Sequence, residues 1–404
     1  MRSSASLFLL LLLLLLLSAL LYSGEEGRSL DYLNALRQKS GLIPLQGNRL
    51  LNLAAASHAN YLVLHQQIGH LEQHGHRGYT GKTPADRVVY HGYASKDVME
   101  NIAVNAKNGA SAVDDLLSAI YHRFVFLSFD KDQIGAGRAE TDIRKRTQNA
   151  YVYKLGSSKL NLLCQKAFIP VSGVRYLQNG CKSSGLLLPQ TLYEKKQQEI
   201  KSKNAEVVLH PYPGQQGVMP AFYNEVPDPL PDYDVSGYPV SVQFNDLYYT
   251  GIKLRSFRLF DEENKEIPMS RILTHANDPH QRLKKMQFAL MPIKRLEYAT
   301  TYRVVFEAEV DGEPYQKSWK FTTRSFKEKL YRIEKEETML RAEPGSTVIL
   351  YFVPRSGSDL LRRYRASKGL KVTLIDQNTL KVSIPQQLRS EANIMSGGRT
   401  VRFK

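Results

Sequence analysis

The stretch IGHLEQHGHRGYTG, residues 68–81, sets three histidines and a glutamate within seven positions. Imidazole and carboxylate are the side chains that hold divalent metals and move protons near neutral pH. His70 and His74 stand four apart, as the zinc ligands of an H-E-x-x-H protease helix do, but the glutamate is Glu72, one place late. Gly69 and Gly75 also argue against a helix here. The protease motif is thus excluded, and what remains is a polar loop whose chemistry depends on what other elements bring to it. His74, His76 and His91 fall in turn-rich sequence and are expected to be solvated; His58 and His65 fall on a helix and are expected to pack. Ser57 adjoins His58, but neighbours on a helix do not face each other. No nucleophile elbow, phosphate-binding loop or dinucleotide fingerprint occurs.

Three helices frame this loop. SLDYLNALRQ carries Leu30, Leu33 and Leu36 at helical spacing with Ser29 as its expected N-cap. RLLNLAAASHANYLVLHQQ predicts a second, with a stripe of Leu50, Leu53, Ala54, Ser57, Tyr61 and Leu64. SAVDDLLSAIYHRFVFL predicts a third, with Ser111 and Asp114 in a capped first turn. Short extended runs follow, among them AYVYKL and VRYLQNGC. Helices first and strands after, without regular alternation, argue for α+β and against a doubly wound nucleotide fold.

Residues 183–235 are rich in Pro, Gly and polar residues and read as a connector that includes a short polar helix. From 236 the period becomes two. Tyr302, Val304, Phe306, Ala308 and Val310 share one face, and VDGEPY supplies an Asp-Gly hairpin turn, so 236–324 reads as a small β-sandwich of immunoglobulin-like size. Residues 325–404 read as a basic α+β module with sixteen Lys and Arg against eight Asp and Glu.

The chain of 404 residues opens with Arg2, an apolar run from Leu7 to Tyr22 and then polar residues, the layout of a secretory signal peptide over 1–24. The run falls short of the roughly 20 residues of a spanning helix. The mature protein is therefore expected to be secreted or periplasmic and not integral to the membrane; anchorage by an uncleaved N-terminal segment is the alternative. Export permits a Cys164–Cys181 disulfide, expected ahead of two buried thiols. The net charge of +16 points either to anionic envelope polymers or headgroups or to no more than a solvated basic surface; nucleic acid is disfavoured because no aromatic-interleaved basic motif accompanies it.

Taken in order, LNALRQKSGLIPL, AAASHANY, Gly69-His70, ENIA at 100–103, YHR at 121–123 and IGAG at 134–137 resemble the CAP superfamily of cysteine-rich secretory, antigen-five and pathogenesis-related proteins, in a bacterial branch. The likeness covers about residues 28–182, and 25–182 is assigned to this domain. It implies an α-β-α sandwich with a cleft lined by His70, Glu100 and His122, whose histidines can hold a divalent cation such as zinc. The family's second glutamate has no counterpart in LLSAIYHR, where Ser118 and Ala119 stand, and Glu72 is the candidate to replace it. The reading favoured is a non-enzymatic binding module of the cell envelope for a small apolar ligand or a divalent metal. The alternative is a metal-assisted peptidase or cell-wall hydrolase with Glu100 and His122 as catalytic groups.

Overall fold

The computed structural model describes residues 24–143, 146–387 and 392–404. Residues 1–23 of the expected signal peptide lie outside these. Among them no helix is long and apolar enough to cross a membrane. The chain divides into two compact units, one of residues 1–208 with 243–250, the other of 209–242 with 251–404.

In the first unit, α1 (Glu25–Lys39) is followed by β1 (Gln46–Gly47), α2 (Arg49–His65) and α3 (Pro84–Tyr90). Then come β2 (Met99–Val104), α4 (Gly109–Ser118), α5 (Ile120–Phe126), β3 (Gln133–Glu140) and β4 (Asn149–Gly156). The sheet order is β1-β3-β4-β2, antiparallel except for the β1–β3 pair.

Helix α2 lies on one face of this sheet, and the reason is the IGAG run of β3. A Cβ at Gly135 would stand 2.1 Å from the Leu51 carbonyl carbon, and one at Gly137 would stand 2.1 Å from the Ala56 nitrogen. Only bare glycines let the helix backbone come so close. Ala55, Ala59 and Leu62 then pack on Ala139, Ala150 and Val152. This corrects the expected stripe. The buried face of α2 is Leu51, Ala54, Ala55, His58, Ala59, Tyr61 and Leu62, whereas Leu53 and Leu64 are exposed. A face chosen by small residues fits the glycine-rich strand, and it takes His58 inside.

Helix α1 starts at Glu25, so Ser29 is not its cap; it sits inside the helix, buried, and donates to the Glu26 carbonyl at 2.7 Å. The third predicted helix is two. Asn108 caps α4 in a reciprocal box with Ser111, and Ala119, with extended backbone, separates α4 from α5. Cys164 and Cys181 form the expected disulfide, beside α6 (Ser158–Leu163), and α7 (Gln190–Lys201) is the expected polar helix.

The second unit is β-rich. Tyr302, Val304, Phe306, Ala308 and Val310 are all buried, on strand Thr301–Val310. It turns at Asp311-Gly312, both at positive φ, into Glu313–Thr322, and Ile252–Phe260 pairs on its other side. Residues 325–404 correct the α+β expectation: among the described residues they hold strands and no helix. Two four-stranded sheets enclose Leu350, Phe352, Leu380, Val382, Ile394, Val401 and Phe403. The basic run after Leu361 offers no apolar partners at helical spacing to bury, so it emerges extended as the short strand Tyr364–Ala366.

Candidate functional site

The histidine-rich stretch is a loop, as its glycines require. Gly69 has φ +122, a conformation side-chain-bearing residues rarely adopt. Its carbonyl lies 3.0 Å from Nε2 of His58, and the Glu72 amide donates to the Lys82 carbonyl at 3.0 Å, closing the loop on itself.

This loop carries His70 to β2. Nδ1 of His70 donates to Glu100 at 2.8 Å. A carboxylate acceptor there fixes the tautomer, leaving the Nε2 lone pair on the outward edge of a ring whose side chain is 43% exposed. Among the described residues that edge has no hydrogen-bond partner. Ile68 and Leu71, on either side in sequence, are both exposed apolar residues.

Behind His70 the charges are locked together. Glu100 also accepts from Nζ of Lys154, and from Arg87 at 3.0 Å to each oxygen. Burial by itself would raise the Glu100 carboxyl, but Lys154, His70 and Arg87 outweigh it and hold the group well below the usual carboxylate range. Burial pushes Lys154 the other way, down to about 8, with Glu100 opposing. Arg87, from α3, also donates to the His70 carbonyl at 2.9 Å and to those of Gly81 and Lys82 at 3.3 Å.

Glu72 belongs to this network through other partners than the expected ones. One oxygen faces Nδ1 of His58 at 2.8 Å, the other accepts from the Thr80 amide at 2.8 Å, and Nε of Arg87 is 3.7 Å away. Burial favours its neutral form, yet His58, Thr80 and Arg87 together lower its pKa. Both nitrogens of His58 face acceptors, but burial, partly opposed by Glu72, lowers that imidazole's pKa.

His122 sits on α5, and its carbonyl accepts from Nδ2 of Asn101 at 2.9 Å. Adjacent strand residues point to opposite faces. β2 thus turns Glu100 towards the α2 side while Asn101 holds the α5 backbone. The structure joins His70 directly to Glu100, brings in Glu72 by way of His58 and Arg87, and places His122 by its backbone. Of the remaining histidines, Nδ1 of His76 meets the Tyr61 hydroxyl at 3.2 Å and Nε2 of His65 faces the Arg77 carbonyl at 2.8 Å. His74 is exposed beside Tyr79. Ser57 pairs with Nε2 of His91 at 3.0 Å, and among the described residues no carboxylate orients that imidazole.

Sequence reasoning missed three members: His58, Arg87 and Lys154. Lys154 had a signal. It alternates with Ala150 and Val152 on the apolar face of β4, and a cation on a face that must be buried demands a carboxylate. His58 packs inside as expected, but nothing in the sequence pointed to its pairing with Glu72.

A divalent cation finds little here that is not already used. No three His, Cys, Asp or Glu side chains among the described residues group as a metal site. Both carboxylates are engaged by Arg87, Lys154 or imidazole. Nε2 of His70 is an oriented donor, and the cations behind it oppose further positive charge. The donor set does not suit a tightly held metal.

Residues 30–153 match the family model described as CAP: Cysteine-rich secretory protein family, and this part of the chain is a CAP domain. Among solved structures, an outer surface protein from Borrelia burgdorferi is 21% identical over 33% of this chain and 91% of that one, with TM-score 0.29. An extracellular protein containing a SCP domain from Bacillus anthracis str. Ames is 20% identical over 32% of this chain, with TM-score 0.27, and the chain spans 39% of its length. No curated protein matches the chain.

Proposed function

We propose that this CAP-domain chain is an exported protein of the bacterial cell envelope and acts as a non-enzymatic binding module. Its ligand is a small, largely apolar molecule with one hydrogen-bonding group, taken at Nε2 of His70. The carrying observation is the Glu100-held imidazole, presented outward beside exposed Ile68 and Leu71. Glu100, Glu72, Arg87 and Lys154 serve to fix that ring, since each is already committed to partners in the interior. Zinc would have only His70 and His122 with waters, a weaker set than the three protein ligands of catalytic sites.

The second unit, read as an immunoglobulin-like sandwich over 236–324 and a basic module over 325–404, tethers the protein to anionic envelope polymer. In its support, Lys294, Arg332 and Arg355 line a cleft of about 410 Å³ with Tyr233 and Tyr351. Deleting 325–404 weakens polymer attachment in a salt-sensitive way; unchanged, salt-insensitive attachment refutes the tether.

The ligand reading is tested by purifying the protein from its native compartment and identifying bound small molecules by mass spectrometry, with elemental analysis alongside. The His70→Ala variant is expected to lose at least tenfold occupancy. Equal occupancy in wild type and variant overturns the assignment. The hydrolase reading keeps one favourable observation, because a carboxylate-held imidazole is also a general base. A panel of peptide, ester and cell-wall substrates decides it, and activity that survives both His70→Ala and His122→Ala rejects it.

A further inference from the structure

The disulfide closes a segment that neither the His70 site nor the polymer tether uses. Between Cys164 and Cys181, whose Cα atoms are 5.4 Å apart, the chain runs out through QKAFIPVSGVRYLQNG. Ile169 is 88% exposed, Val171 61% and Val174 40%. A turn gathers them: the Val174 amide donates to the Val171 carbonyl at 3.4 Å, and the Val171 amide donates to the Tyr176 hydroxyl at 2.8 Å. Three branched aliphatic side chains and Pro170 thus stand in water on six residues. Single exposed apolar residues need no explanation, but a cluster held on a closed loop marks a contact surface.

Charge states what that surface meets. Lys166, Arg175 and Lys182 flank the tip, all exposed, and none has an acidic partner among the described residues. From Ile143 to Tyr193 the sequence holds eight Lys and Arg and no Asp or Glu. Aliphatic groups at a protruding tip with cations behind it fit hydrocarbon below and anionic headgroups at the rim. Nucleic acid would satisfy the cations and leave the aliphatic tip in water. We propose that residues 165–182 form a peripheral docking loop that inserts Ile169, Val171 and Val174 into the interface of an anionic lipid bilayer. Neither class of contact anchors a protein well by itself; together they supply the two signals that stable peripheral attachment needs. The disulfide keeps the loop ends together, so less order has to be gained on docking.

The experiment is co-sedimentation of the full chain with phosphatidylglycerol-containing vesicles and with phosphatidylcholine vesicles, which contain no envelope polymer. Wild type is expected to bind the anionic vesicles, with binding that falls as salt rises. The Ile169→Asp/Val171→Asp variant loses at least tenfold in partitioning, and Lys166→Gln/Arg175→Gln/Lys182→Gln loses about fivefold per cation on anionic vesicles. All five side chains are exposed, so folding is unaffected, and an unchanged helical circular dichroism spectrum checks this. An Ile169→Trp variant adds a depth readout: its fluorescence shifts to the blue on anionic vesicles, against Trp319, which is buried and bonded to the Pro211 carbonyl. Absence of vesicle binding overturns the proposal. So does binding that survives Ile169→Asp/Val171→Asp but disappears when 325–404 are deleted, because general basicity then suffices.

Discussion

Replacing Glu100 by Gln keeps the shape of the side chain and removes the charge that holds Lys154 and Arg87. Both cations have side chains 0% exposed, and that of Glu100 is 1% exposed. At the 3.0 Å of the Arg87 contact, with an effective dielectric of about 20, one such attraction is about 5 kcal/mol, much of it offset by desolvation. Removing one partner of a buried pair costs about 3–5 kcal/mol. Lys154 loses its carboxylate partner and Arg87 keeps only the more distant Glu72 at 3.7 Å, so a loss within this range is expected. With a urea dependence of about 2–3 kcal/mol per molar, the midpoint falls by about 1.5–2 M. Two signals separate the units. All helices of the described residues lie in the first unit, so ellipticity at 222 nm reports it, while Trp319, the only tryptophan, reports the second. The helical midpoint should fall and the fluorescence midpoint should stay.

The pH dependence gives a second, independent mark. In the wild type, Lys154 is held down to about 8 against an ordinary 10.5. Between those values the unfolded chain binds the extra proton, so this group makes stability rise with pH across that window. Without Glu100 the folded value drops further and the rise starts lower. The deficit of the variant is therefore greatest at pH values below its own lowered Lys154 value, shrinks as pH rises from there to about 8, and is level above that. In acid the difference also narrows, because the stabilisation from ionised Glu100 is present above its ordinary value of 4.5 and is lost as pH falls through its depressed folded value. A helical midpoint within 0.3 M of wild type, or a deficit that does not vary with pH, refutes Glu100 as the centre of this network.

Two further substitutions test the frame. Gly137→Ala puts a methyl 2.1 Å from the Ala56 nitrogen, where only backbone could yield; the expected loss is about 4 kcal/mol or more, read as a lowered or absent helical melting transition, and an unchanged transition rejects the close-approach account. Cys164→Ser/Cys181→Ser opens the stapled loop and should cost the first unit about 3 kcal/mol in the same melt; a midpoint equal to that of the oxidised wild type would show that the loop needs no staple.

The sequence by itself located the helices α1, α2 and α7, the hairpin strands Thr301–Val310 and Glu313–Thr322, and the disulfide partners; His70 and Glu100 were named only through the family resemblance, with Glu72 as the candidate replacement. The helices, the hairpin and the disulfide are local signals: spacing, alternation, a turn dipeptide, a residue type. Tertiary structure decided the rest, and mainly through one contact. Once Gly135 and Gly137 let α2 rest backbone to backbone on β3, its buried face became the small-residue face that includes His58, not the leucine stripe. His58 and Lys154 then entered the interior, where unpaired polar groups are costly, and Glu72 and Glu100 had to turn inward to meet them and Arg87. That is why Glu72 faces His58 instead of His70, and why His70, held by Glu100, keeps an open edge. No window along the chain contains this outcome, because the partners come from 58, 72, 87, 100 and 154 and each choice of rotamer depends on the others.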